Sequence, residues 1–162
     1  MALIGDRQLT PEDMPRLGYT VQVLHEALRL CPPASGVMRM ATRDMSVAGY
    51  RVERGMVVGV GICALHRDPA LWHRPLVFDP ERFAPERMKS IDRWQYIPFG
   101  AGPRSCIGDH LAMLEAALAL ATIVRRTQIT SCSDTFPLQS PFTTVADGPI
   151  HVRVTTRCPA NQ

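Results

Sequence analysis

Phe99-Gly100-Ala101-Gly102-Pro103-Arg104-Ser105-Cys106-Ile107-Gly108, followed at once by the apolar run from Asp109 to Gln128, is the stretch on which the fold turns. Its glycines and proline predict a tight, specified turn. The turn delivers Cys106 just before a helix predicted over Asp109–Gln128. In that helix Leu111, Met113, Leu114, Ala117, Leu118, Leu120, Ala121, Ile123 and Val124 leave few polar positions, so it should be buried on most faces. A cysteine at its head meets unsatisfied backbone N–H groups and the positive end of the helix dipole, which favour the thiolate. Arg104 adds a positive charge, and Gly108 withholds a side chain where a flat, bulky group could press on the backbone. From these residues alone Cys106 could be a small buried hydrophobe, a redox-sensing thiol or a ligating thiolate, though a sensor would want more exposure than this helix suggests.

Upstream, a helix is predicted from Pro11 to Leu30. Thr10, Pro11, Glu12 and Asp13 supply a capping hydroxyl, a proline in the first turn and acids near the positive dipole end. Val21, Leu24, Ala27 and Leu28 recur at helical spacing, and Pro32-Pro33 ends the run. Ser46 to Val52 reads as a strand, Glu53-Arg54-Gly55 as a turn and Met56 to Ile62 as a second strand. Another short helix is expected near Asp68-Pro69. Pro75 to Gly108 is dense in Pro and Gly, and so long an irregular stretch is more often functional than idle. At the end a hairpin is predicted, with Thr143 to Ala146 turning at Asp147-Gly148 into the alternation Ile150, Val152, Val154. The class is mainly α with small β-sheets.

Bulk properties exclude several functions. The 162 residues suit one domain, and a hydrophobic fraction of 46% with 20% charged residues is ordinary for a soluble protein. A net charge of +3, with no basic block, gives no footprint for nucleic acid. Cys31, Cys63, Cys106, Cys132 and Cys158 are scattered and never spaced Cys-x-x-Cys, which suits a reducing compartment better than a disulfide framework or a zinc knuckle. Met1 to Arg7 shows no signal peptide, and no run approaches the roughly 20 apolar residues of a membrane helix. A cytoplasmic location is expected.

The pattern Phe99, Gly102, Arg104, Cys106, Gly108, extended by Ala112 and Glu115, resembles the haem-binding signature of the cytochrome P-450 family. Two shorter motifs stand in the same order as in that family. Glu26 and Arg29 resemble its Glu-x-x-Arg pair, and Phe78-Asp79-Pro80-Glu81-Arg82-Phe83 resembles the segment whose arginine completes a Glu–Arg–Arg network. The resemblance implies that residues 1–162 form the C-terminal, haem-holding portion of the P-450 fold. Cys106 would be the axial thiolate of haem b, its metal ligand, and an anionic sulfur at that place favours O–O cleavage. Arg104 would pair with a haem propionate, as would Arg39, for which a surface or capping role is the alternative, while Phe99 would shield the sulfur. Glu26, Arg29 and Arg82 would be structural, holding the cysteine loop in place. His66, in His66-Arg67-Asp68-Pro69, resembles a common stretch ahead of Trp72, with a surface or capping role as its alternative. Residues 34–37 would border the substrate cavity, approached by the turn at Asp147-Gly148.

The implied function is a mono-oxygenase that inserts one atom of O2 into an organic substrate, with electrons from a ferredoxin or flavoprotein reductase. A complete family member carries, ahead of all these motifs, a helix with an acid–alcohol pair over the distal haem face. No such pair precedes Glu26, so the chain is expected to be truncated. A catalytically inactive haem-binding remnant is the alternative function, and a helical domain without cofactor the third.

Overall fold

The computed structural model describes residues 7–133, 135–140 and 143–157, so Cys158 and the start of the chain lie outside the described part. Two helices carry the architecture, α1 (Gly18–Leu30) and α4 (Asp109–Arg126), which pack on each other. Between them lie β1 (Val37–Met40), β2 (Met45–Val47), β3 (Tyr50–Val52), β4 (Val57–Val60) and the short helices α2 (Ile62–Leu65) and α3 (Pro85–Met88). Strands β5 (Thr127–Ser131), β6 (Leu138–Gln139), β7 (Val145–Ala146) and β8 (Val152–Thr156) follow α4.

The helix expected from Pro11 to Leu30 is split. Pro11–Arg16 is a 3-10 turn, and α1 begins only at Gly18. Pro15 is the reason: it has no N–H to give and its ring crowds the preceding turn. The start signal itself is used, since the Asp13 carboxylate accepts the Thr10 N–H at 3.0 Å and is gripped by Arg7 at 2.7 and 2.5 Å. Leu9 and Leu17 then pack on Ala121 of α4, with Met14 and Leu118 at the margin.

The expected strand Ser46–Val52 is a hairpin. Ala48 (φ 48°) and Gly49 (φ 85°) are both left-handed, the geometry of a two-residue hairpin turn, and Val47 pairs with Tyr50 across it. The Glu53–Gly55 turn forms as expected, with the Met56 N–H on the Glu53 carbonyl at 3.0 Å. Its outgoing strand, β4, ends at Val60 and pairs antiparallel with β1, Val37 opposite Val60. The short helix falls at Ile62–Leu65 rather than near Asp68-Pro69, where the chain forms turns instead.

Helix α4 is buried along one face. Ala117 and Ala121 are fully buried, whereas Leu111 is 59% and Ile123 47% exposed, so burial on most faces is not what the chain provides. The helix stops at Arg126, and Thr127 opens β5, which pairs with β8. The expected terminal hairpin does not form, because β7 pairs with β6 and β8 with β5. The β5–β8 pairing joins segments more than twenty residues apart, whereas β6 and β7 lie close together in the chain and take up the residues expected to form the hairpin's first strand. The result is a mainly α chain with four two-stranded sheets among the described residues. No described helix is long and apolar enough to cross a membrane.

Candidate functional site

The loop before α4 is held by its own backbone. Gly100 and Gly102 both sit at φ 75°, a region L side chains rarely adopt, and Gly102–Arg104 forms a 3-10 turn. The Gly100 N–H donates to Ile97 O at 2.9 Å, Ser105 N–H to Gly102 O at 3.1 Å, and Cys106 N–H to Phe99 O at 2.9 Å. Cys106 is therefore set at the mouth of the turn, with Gly108 capping α4 two residues on. Strand β1 runs beside the loop, since a methyl group on Gly100 would lie 4.0 Å from Val37 Cγ1.

Cys106 is exposed, more than its apolar helix suggested, and so is Arg104. Phe99 is half-buried and lines an open depression of about 320 Å³ with Met14, His25, Asp109, Met113 and Leu114. Arg39, also exposed, donates only to the adjoining Met38 carbonyl at 2.8 Å. Among the described residues neither Arg39 nor Arg104 has a carboxylate partner. The Thr144 N–H meets the Pro33 carbonyl at 2.7 Å, which ties the segment after α1 to the chain just ahead of the Asp147-Gly148 turn.

A second assembly lies behind the loop. Glu26 and Arg29 are fully buried on α1, with Arg29 Nε on Glu26 Oε2 at 2.7 Å and Nη2 on Oε1 at 2.8 Å. Arg29 Nη1 donates to the carbonyls of His66 and Pro75, each at 2.7 Å. Glu26 Oε1 also accepts the Asp79 N–H at 2.8 Å and faces Arg82 Nε at 3.4 Å. Arg82 spends its remaining donors on the carbonyls of His73 and Arg74, at 2.5 and 2.8 Å. The irregular segment is thus tied to α1 by two guanidinium groups that satisfy backbone carbonyls, which is how buried charge avoids leaving polar groups bare.

Sequence reasoning assigned nothing to Tyr96 or His25 and left His66 undecided, yet these three pack together. The His66 ring stacks on Tyr96 at 5.2 Å, and His25 meets Tyr96 edge-on at 5.6 Å. Tyr96 Oη donates to the His25 carbonyl at 3.0 Å and stands 3.0 Å from His25 Nδ1. Trp72 and Phe83 close the cluster. His66 is fully buried, which rules out a surface role. Burial holds its imidazole down to about 4, with Arg29 and Arg67 acting the same way against the opposing pull of the Arg29 and Leu28 carbonyls. Burial also lowers His25 and raises the Tyr96 phenol. The signal available in sequence was apolar Ala64-Leu65 just ahead of His66 and Trp72 six residues on, in a stretch for which only a short helix near Asp68-Pro69 was expected.

Comparison with known proteins places this geometry. The family model for cytochrome P450 matches residues 1–152, and the chain belongs to the cytochrome P450 family. It is 42% identical over 150 residues to cyclooctatin synthase of Streptomyces melanosporofaciens, covering 93% of this chain and 33% of that protein. It is 46% identical over 124 residues to thromboxane-A synthase of Sus scrofa, covering 76% of this chain and 23% of the relative. The crystal structure of the cytochrome P450DA heme domain superposes with a TM-score of 0.89 at 33% identity, over 97% of this chain and 35% of that one. The cyanobacterial CYP120A1 with retinoic acid bound gives 0.88 at 30% identity, over 96% of this chain and 36% of its own. The chain spans a third or less of the length of these two curated relatives.

The family implies haem, and the residues present fit it. Gly102 needs its glycine for φ, but Gly108 has an ordinary φ of −98° and nothing within 4 Å of where a Cβ would sit. The chain's own packing therefore leaves the backbone at Gly108 open for something else to approach. The thiol at Cys106 is a soft, exposed donor, and among the described residues the guanidinium groups of Arg39 and Arg104 have no carboxylate to pair with. A soft sulfur and two uncommitted forks suit an iron porphyrin bearing two carboxylates.

Proposed function

We propose that residues 1–162 are the C-terminal, haem-holding part of a cytochrome P450 mono-oxygenase domain, in which Cys106 would hold the haem iron as a thiolate. The observation that carries this reading is the exposed Cys106 thiol beside the open backbone at Gly108. Haem b, when bound, supplies the activation of O2, one atom of which enters an organic substrate while the other leaves as water. The chain's own residues do the holding. Cys106 would give an anionic sulfur, and Arg104 and Arg39 would anchor the two carboxylates through rigid guanidinium forks. Glu26, Arg29 and Arg82 keep the irregular segment, and with it the cysteine loop, from drifting. The segment 34–37 borders the substrate, steadied by the Thr144–Pro33 hydrogen bond. A ferredoxin or flavoprotein reductase delivers the electrons.

The test is spectroscopic. The reduced, CO-bound protein should show the strongly red-shifted Soret band of a thiolate haem, and Cys106→Ala should abolish it. An unchanged spectrum in that variant would remove the assignment. Product formed in proportion to oxygen consumed, with a reductase pair supplied, would establish turnover.

A further inference from the structure

His66 serves two clients from a fully buried position. Its backbone carbonyl accepts from Arg29 Nη1 at 2.7 Å, and its ring Nε2 accepts the Ile97 N–H at 2.9 Å. A backbone N–H can only donate, so Nε2 carries the lone pair and the ring proton sits on Nδ1. Nδ1 is buried and makes no well-formed hydrogen bond, with the Arg29 and Leu28 carbonyls drawing only weakly on its proton. A buried donor without a well-formed hydrogen bond carries a penalty that a phenyl ring filling the same space would not incur. The imidazole is therefore poorly explained by packing, and what distinguishes it from phenyl is the acceptor turned toward Ile97.

Ile97 is where the cysteine loop begins. Its carbonyl takes the Gly100 N–H at 2.9 Å, and within the same loop Phe99 O takes the Cys106 N–H at 2.9 Å. The residue before it, Tyr96, is clamped by the His66 ring and by its hydroxyl on the His25 carbonyl at 3.0 Å. A short chain of hydrogen bonds thus runs from Glu26 through Arg29 and His66 to Ile97 and Gly100, each 2.9 Å or less. We propose that His66 is a positioning residue for Cys106, its neutral ring setting the entry of the cysteine loop from the point that also holds the Glu26–Arg29 pair. Its bearing on haem rests on the reading of Cys106 as the residue that would hold the iron.

The experiment compares His66→Phe, which keeps the ring but not the acceptor, with His66→Gln, whose amide oxygen can still accept from Ile97. Amide hydrogen exchange over residues 97–108 of the full chain is read without haem, and the thiolate share of the CO complex with haem. In His66→Phe the loop amides should exchange about tenfold faster, the loss of one hydrogen bond, while the centre of α4 is unchanged. More than half of the thiolate band should also be lost at equal haem content, and His66→Gln should restore both. Wild-type exchange in His66→Phe, or acceleration spread evenly through α4, overturns the proposal. Should His66→Phe not fold, the ring nitrogens of the wild-type chain decide by NMR: a neutral ring protonated at Nδ1, with a protected Ile97 amide, supports it, and any other form overturns it. Absence of the thiolate band in the wild type, with loop exchange behaving as expected, would instead sink the haem reading and leave His66's hold on the loop intact.

Discussion

Arg29 lays its guanidinium along the Glu26 carboxylate in a two-point grip, Nε to Oε2 at 2.7 Å and Nη2 to Oε1 at 2.8 Å, with both side chains closed to solvent. Attraction inside a protein is offset by the desolvation of both charges, so the pair's net contribution is small while the penalty for breaking it is large. Its value is directional, since three backbone carbonyls from residues far along the chain end on the same guanidinium.

Removing one partner should therefore be severe. Glu26→Ala and Arg29→Ala are each expected to destabilise the fold by on the order of 3–5 kcal/mol, because the other charge stays buried and bare. Urea unfolding followed by circular dichroism measures it. A loss under about 1 kcal/mol, the range of solvated pairs, would show that water reaches the pair.

Arg82 should behave differently from Arg29. Its contact with Glu26 is long at 3.4 Å, and its better bonds go to the carbonyls of His73 and Arg74. Arg82→Ala should cost about 1–3 kcal/mol, the loss of backbone acceptors' partners rather than of a charge pair. Arg82→Lys should recover little of it, because an ammonium cannot span two carbonyls as a planar fork does. Recovery to wild-type stability in the lysine variant would point to charge alone.

Gly102 and Gly108 make a paired test. Gly102→Ala forces a side chain into φ 75° and should cost about 1–2 kcal/mol with or without haem. Gly108→Ala meets neither strain nor a neighbour, so the haem-free chain should keep its stability within about 0.5 kcal/mol. Haem retention should nevertheless fall in Gly108→Ala. Equal haem affinity in that variant and the wild type would mean that the open backbone is not where the cofactor lies.

Acid should loosen the fold before the carboxylates titrate. His66 is neutral when folded and held down to about 4 by burial, against an ordinary imidazole value of 6.5. The folded value is depressed, so the stability it secures is fully present above pH 6.5 and is lost as pH falls toward 4, by about 3 kcal/mol in all. His25, lowered by burial as well, adds to the same window. Asp13, held below the usual carboxylate range first by its hydrogen bond to Arg7, loses its contribution only at lower pH. Unfolding free energy measured from pH 7.5 to 4 should show this slope, and His66→Gln should flatten it. An identical slope in that variant would assign the effect elsewhere.

The cysteine loop was legible from sequence because its message is local. Gly102 is demanded by φ, Cys106 and Gly108 stand at fixed spacing from it, and the apolar run of α4 announces the helix they precede. Glu26 and Arg29 were legible for the same reason, one helical turn apart in an apolar window. What eluded sequence was decided by distant partners. Thr127–Ser131 becomes a strand because β8 lies alongside it, and the Ala48-Gly49 turn is drawn into φ > 0 without the usual Asn-Gly cue. Burial of α4 on one face only, and the exposure of Cys106, depend on what packs against them, which periodicity does not contain. His66 is the clearest case. Its residue type is compatible with surface, cap or ligand, and only the arrival of Ile97, 31 residues away, at its Nε2 gives the ring a direction. Sequence determines which groups can accept or donate; tertiary structure decides which of them meet, because a hydrogen bond requires contact that local propensity does not encode.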